Sequence, residues 1–240
     1  MKLDWINHPK YRHINVIDAH TGGEPLRIIV DGFPKPEGKT ILEKRRWVKE
    51  HADDLRKALM WEPRGHADMY GVMVTEPERD SSDFGVIFMH NEGYSTMCGH
   101  GIIGVTKVVL ETGMFPMQEP ETVLRIDSPA GQITAHALCH NGEVTFVSFL
   151  NVPSFLYARD KEVVIDGFGK IVYDIAFGGA FYAFVNADEY GIAMTPENVR
   201  QLIDLGMKIK YAVMESVPVK HPFDDDLSFL YGTIFYGKPH

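Results

Sequence analysis

Residues 94–113 read Tyr94-Ser95-Thr96-Met97-Cys98-Gly99-His100-Gly101, then Ile102-Ile103-Gly104-Val105-Thr106-Lys107-Val108-Val109-Leu110-Glu111-Thr112-Gly113. From Gly99 to Glu111 the apolar side chains run almost all the way round a 3.6-residue spiral instead of keeping to one stripe. A helix of that kind is buried, so the fold has to enclose it. Gly113 marks its stop. Cys98 stands at its start, where free N–H groups and the positive end of the helix dipole gather. Both favour thiolate over thiol, so the sequence predicts a lowered thiol pKa. Gly99 and Gly101 leave backbone N–H groups unshielded, which suits a carboxylate. A proton-transfer group beside an anion cradle is what removal of an α-proton from an amino acid requires. A buried structural cysteine fits the same spacing; the flanking glycines and His100 are what a plain core helix would not need.

Working outward, His13 to Asp18 and Leu26 to Val30 read as strands around the turn His20-Thr21-Gly22-Gly23-Glu24-Pro25. Thr40 with Glu43 three residues on forms a capping box, and Ile41, Val48, Ala52, Leu55 and Leu59 keep helical spacing over 41–60. Met69 to Thr75 and Phe84 to His90 are strand-like. After the buried helix, 122–149 splits into three β-runs at Ser128–Gly131 and His140-Asn141-Gly142, the second break being a hairpin signal. A second β-rich half begins near Asn151, with Lys170 to Ala176, Ala180 to Val185, a helix from Thr195-Pro196, and Phe229 to Tyr236 as its last strand. The pattern predicts an α+β chain of two similar parts, residues 1–151 with the Cys98 stretch and residues 152–240.

The 240 residues are 45% hydrophobic and 24% charged, within the ordinary globular range. A net charge of -9 and the absence of any long basic run argue against a nucleic-acid partner. No apolar run spans a bilayer, and Met1-Lys2-Leu3-Asp4-Trp5 lacks the layout of a signal peptide. Two cysteines give no disulfide framework, so a reducing cytoplasm is the expected location.

Among other candidates, Cys139 in Leu138-Cys139-His140 reads as a structural thiol. His20 beside its glycine pair either lines a site or is held by a backbone hydrogen bond. His66 and Asp68 read as ligand contacts or as a polar connection, the latter preferred. No metal is expected, because no His-Glu-x-x-His, Cys-x-x-Cys or His-x-His string occurs. No dinucleotide or P-loop string occurs either, and Ser154 has no nucleophile elbow. No cofactor is expected.

Asp18–Pro25, Arg64-Gly65-His66, Met97–Gly101 and Asp174–Ala183 resemble the proline racemase family along essentially the whole chain. Leu59–Gly71, His90–Ser95 and Leu227–Ile234 resemble the branch that dehydrates trans-3-hydroxy-L-proline. The resemblance implies a diaminopimelate-epimerase-like fold, two lobes each a curved sheet around a central helix, with the site in the cleft between them. It implies Cys98 as proton acceptor, the N–H groups of Gly99 and His100 on the substrate carboxylate, and Tyr70 lining the pocket.

Members of the family carry a second site motif, Asp-Arg-Ser-Pro followed by Cys or Thr, beyond the strand matching Phe229–Tyr236; nothing here matches it. The resemblance therefore predicts a second lobe without its central helix, and a chain that is one piece of a longer enzyme or is completed by a C-terminal fragment. A homodimer is a further expectation. The activity implied is cofactor-independent dehydration to Δ1-pyrroline-2-carboxylate. Hydroxyproline 2-epimerisation or proline racemisation through a second cysteine is the alternative, and an inactive binding or assembly subunit is the alternative of another class.

Overall fold

The computed structural model describes residues 9–239; the stretch Met1–Trp5, read above for a leader, and the terminal His240 lie outside the described residues. The chain forms two compact units, Met1–Asn151 and Val152–His240.

The first unit is a seven-stranded sheet whose strands follow chain order: β1 (Asn15–Thr21), β2 (Glu24–Asp31), β3 (Tyr70–Thr75), β4 (Phe84–His90), β5 (Glu121–Ser128), β6 (Gly131–His140) and β7 (Glu143–Leu150). Pairing is parallel at β2–β3 and β4–β5 and antiparallel elsewhere. The buried helix is α3 (Gly99–Glu111), which packs against both edge strands, β1 and β7, as well as β2, β3 and β6. Seven flat strands would span about 29 Å, far more than the roughly 10 Å width of a helix. The sheet therefore curls around α3, as the all-round apolar pattern demands. Close approach is built in at Gly104, where an added Cβ would lie 2.7 Å from Leu26.

The outer face of the sheet carries α1 (Ile41–His51) and α2 (Asp53–Met60), packed through Ile41, Val48, Leu55 and Leu59 onto Ile29, Met73, Ile87 and Met89. Covering on both faces explains why β4 is continuously apolar. The capping box at Thr40 and Glu43 is present. The predicted single helix over 41–60 is instead two, broken at Ala52. The break lets Asp53 open a new helix and pair with Arg56, whose guanidinium reaches the carbonyls of His90 and Asn91 at 2.7 and 2.6 Å. Arg56 is 3% exposed, so this is a buried charge with its donors used.

The β1–β2 hairpin turns on Gly22 and Gly23, both at positive φ, and the β6–β7 hairpin on Asn141 and Gly142 at φ 53° and 78°.

The second unit is a four-stranded sheet in the order β11-β10-β9-β8: β8 (Phe155–Ile165), β9 (Gly169–Phe177), β10 (Phe181–Asn186) and β11 (Leu230–Tyr236). Its helix α4 (Val199–Ser216) packs on β8, β10 and β11 and buries Leu205, Ile209 and Val213. The helix was expected to start at Thr195; it begins at Val199, after a 3-10 turn over Pro196–Asn198. The Thr195 hydroxyl takes a hydrogen bond from the Asn198 side chain and caps nothing. No described helix is long and apolar enough to cross a membrane.

Candidate active site

Cys98 is the N-cap of α3, in extended conformation, and its Sγ accepts the Gly101 N–H at 3.4 Å. The His100 backbone N–H and the Tyr70 hydroxyl also hydrogen-bond the sulfur. The local sequence permits this because Gly101 has no side chain: a Cβ there would stand 2.8 Å from the Phe88 ring and 3.1 Å from Sγ.

The His100 ring supplies the fourth partner. Nδ1 lies 3.3 Å from Cys98 Sγ, while Nε2 lies 3.2 Å from the Pro25 carbonyl oxygen. A carbonyl only accepts, so Nε2 carries the ring proton and Nδ1 presents a lone pair to the thiol. The Thr21 hydroxyl donates to the His100 carbonyl at 2.9 Å, tying the helix start to the end of β1. The hairpin between β1 and β2 thus fixes the imidazole from both its ring and its backbone.

Cys98 is 8% exposed, and burial pushes its thiol up to about 11. The Glu24 carboxylate adds to that rise; the Gly101 N–H, the Tyr70 hydroxyl and the His100 N–H oppose it without cancelling it. This corrects the expectation of a lowered pKa. A helix N-terminus does favour thiolate, but here desolvation outweighs the donors. The resting form of Cys98 is therefore the thiol, beside the His100 ring.

Tyr70, on β3, packs its ring edge-on to His100 at 5.0 Å and stacked on His90 at 5.8 Å; its hydroxyl hydrogen-bonds Ser95 Oγ. Gly99 opens the helix, so its amide has no intrahelical acceptor. The His100 amide, expected beside it on a carboxylate, also favours the Cys98 thiolate.

The other expected residues spread outward. Gly23, Glu24, Pro25, His66 and Asp68 line a cavity of about 370 Å³, which shares Pro25 with the imidazole's hydrogen bond. His66 and Asp68 are held in a local turn, the Asp68 N–H donating to His66 Nδ1, and Asn91 grips the carbonyls of His66 and Ala67. His20 accepts the Gly23 N–H on Nδ1 and lines a separate cavity of about 350 Å³ with Ile103, Gly104 and Lys107; that hydrogen bond does not reach Cys98. Cys139 is a buried free thiol on β6. Sequence reading passed over Ser95, Thr21 and Pro25. Pro25 acts through its own carbonyl and Thr21 through a hydroxyl hydrogen-bonded to a distant carbonyl, and Ser95 carries no spacing signal at all.

The sequence pattern that defines the family described as proline racemase matches residues 16–240. Over 230 residues the chain is 52% identical to a protein of Colwellia psychrerythraea named trans-3-hydroxy-L-proline dehydratase, covering 96% of this chain and 65% of that one. A trans-L-3-hydroxyproline dehydratase of Xenopus tropicalis is 50% identical over 92% of this chain and 64% of its own length. A 3-hydroxyproline 2-epimerase of Burkholderia multivorans is 44% identical over 95% of this chain. Among solved structures, a hydroxyproline epimerase from Agrobacterium vitis with bound trans-4-hydroxy-L-proline superposes with a TM-score of 0.89 at 31% identity, covering 93% of this chain and 66% of that one. The chain thus spans about two thirds of the length of the curated relatives it matches.

Proposed function

The chain belongs to the proline racemase family, and from that premise we propose that it dehydrates trans-3-hydroxy-L-proline to Δ1-pyrroline-2-carboxylate, with Cys98 as the base. The observation that carries this reading is the hydrogen-bonded series from Cys98 Sγ through the His100 ring to the Pro25 carbonyl. The thiol proton moves to His100 Nδ1, leaving a thiolate that three donors face. The thiolate takes the α-proton of the substrate, the electron pair forms the Cα–Cβ double bond, and the C3–O bond breaks.

Stereochemistry favours a one-sided site. In trans-3-hydroxy-L-proline the hydroxyl lies on the face opposite the carboxylate, which is the face of the α-hydrogen. The imidazolium beside the thiolate is therefore on the side of the leaving hydroxyl and can protonate it to water. Cys98 ends as thiol and His100 as neutral ring, so the protons balance within the pair and no cofactor is needed. The enamine then tautomerises to the cyclic imine. In this reading the N–H groups of Gly99 and His100, at the helix start, take the carboxylate, with Tyr70 along the pocket wall. Both cysteines are free thiols, which suits a reducing compartment such as the cytoplasm.

Epimerisation is the second reading, favoured by the Burkholderia multivorans relative. It needs a proton donor on the opposite face of the α-carbon. Incubation with trans-3-hydroxy-L-proline in D2O, followed by NMR, separates the two: dehydration yields the imine and water, epimerisation yields the deuterated epimer. Cys98→Ser is expected to lower turnover at least about 1000-fold, since a hydroxyl is a far weaker base than a thiolate. Near-normal turnover in that variant overturns the assignment.

A further inference from the structure

Ser95 is 1% exposed, on the turn between β4 and α3, and its hydroxyl hydrogen-bonds the Tyr70 hydroxyl. Its place is fixed from outside. Tyr94 bridges to Met89, its hydroxyl donates to Asp53, and its carbonyl accepts from Arg45. Arg56 grips the carbonyls of His90 and Asn91 at the head of the same turn. The Tyr70 ring is confined by His90, His100 and Phe88, at 5.8, 5.0 and 6.4 Å.

Three donors face Cys98 Sγ: two backbone amides and the Tyr70 hydroxyl. The amides are fixed by the helix. The phenol can turn its one proton either to Ser95 or to the Cys98 sulfur. If that proton goes to Ser95, the phenol turns lone pairs toward the sulfur, which repels a thiolate. If the Ser95 proton goes to the phenol oxygen, the phenolic proton is left for the sulfur, and each hydrogen bond polarises the next.

We infer that Ser95 is a positioning residue that donates to the Tyr70 oxygen and thereby directs the phenolic proton onto Cys98 Sγ. The inference rests on the reading of Cys98 as the base, and it deepens that reading by naming what steadies the thiolate once His100 has taken its proton. Ser95 meets Tyr70, not the sulfur, in the hydrogen bond described, and its effect passes through Tyr70.

The test is the rate of Cys98 alkylation by iodoacetamide in the full chain, read by peptide mass spectrometry across pH. Loss of one hydrogen bond to the thiolate lowers the thiolate fraction, so Ser95→Ala is expected to slow alkylation near neutral pH about three- to tenfold. Tyr70→Phe is expected to slow it at least as much. In the Tyr70→Phe background, adding Ser95→Ala should change nothing, and Ser95→Thr alone should keep the wild-type rate. An unchanged rate in Ser95→Ala, or an equal fall with and without the Tyr70 hydroxyl, overturns the inference. Should Ser95→Ala fail to fold, Ser95→Gly gives the same comparison, and an unaltered rate in Tyr70→Phe overturns the inference by itself. Alkylation needs no substrate, so this result stands apart from the turnover test of Cys98→Ser: either can fail while the other holds.

Discussion

The first unit holds two thiols, Cys98 at the start of α3 and Cys139 on β6, and both are buried, 8% and 4% exposed. Burial therefore does not distinguish them; their neighbours do. Cys139 donates to the Ala137 carbonyl at 3.4 Å and lies 3.6 Å from the Thr122 hydroxyl. The carbonyl holds the thiol proton without taking it. Cys98 faces a ring nitrogen with a free lone pair and three donors aimed at its sulfur. One thiol has a proton acceptor and support for the charge left behind; the other has neither. On the proposed reading, what makes a cysteine a base is where its proton can go, and for Cys98 that place would be His100 Nδ1.

The largest expected effect follows from removing that acceptor. His100→Ala leaves Cys98 in its N-cap with the Gly101 N–H and the Tyr70 hydroxyl, but takes away Nδ1 and the proton held against Pro25. Turnover of trans-3-hydroxy-L-proline should fall about 100- to 10,000-fold, the usual range for a general acid–base partner. In that variant Cys98 would resemble Cys139: buried, supported in part, and without an acceptor. Full activity would show that the contrast between the two thiols lies elsewhere.

Much of this contrast was legible in the sequence. The all-round apolar run from Gly99 to Glu111 forced an enclosed helix, and the glycines flanking His100 set Cys98 apart from Cys139. The hairpins at Gly22-Gly23 and Asn141-Gly142 and the capping box at Thr40 were readable because each is a local rule with its own residue types. Strand β8 was not. Its register shifts between Leu156 and Ala158 and again between Ala158 and Lys161, so no alternation survives to be read. The break at Ala52 was hidden because helical spacing continues across it; its cause is the long-range pairing of Arg56 with the turn before α3. The raised thiol pKa was illegible for a related reason. The helix dipole is a local property, whereas desolvation depends on strands far away in the chain that close over the sulfur.

That desolvation gives a second prediction. Burial raises the folded-state pKa of Cys98 to about 11 from an ordinary value of 9.0. Below pH 9 the thiol is protonated in both folded and unfolded chains and contributes no pH dependence. Between pH 9 and 11 the unfolded chain loses its proton first, so the unfolded state is favoured and stability falls as pH rises. At pH 10 the loss is about 1.4 kcal/mol, corresponding to one pKa unit. Urea denaturation at pH 8 and pH 10 checks it: wild type should lose about that much more stability over the interval than Cys98→Ala does. Equal losses would mean that the sulfur is better solvated or better supported than its burial implies.

The smallest effect is expected at the other thiol, where it sharpens the comparison most cleanly. Cys139→Ala removes one buried sulfur, its hydrogen bond to Ala137 and its contact with Thr122. The cavity left is little larger than a methyl group, so the cost should be about 1 kcal/mol of stability, and turnover should stay within about twofold of wild type. Native-state iodoacetamide should label Cys98 increasingly as pH rises and leave Cys139 unlabelled until the chain unfolds, since Cys139 has no partner to accept its proton. The two readouts separate packing from chemistry. A stability loss without an activity loss places Cys139 in the core, as its carbonyl partner implies. A tenfold loss of turnover in Cys139→Ala would instead couple β6 to the helix it helps enclose, and would mean that the base depends on the sheet behind it as well as on the imidazole beside it.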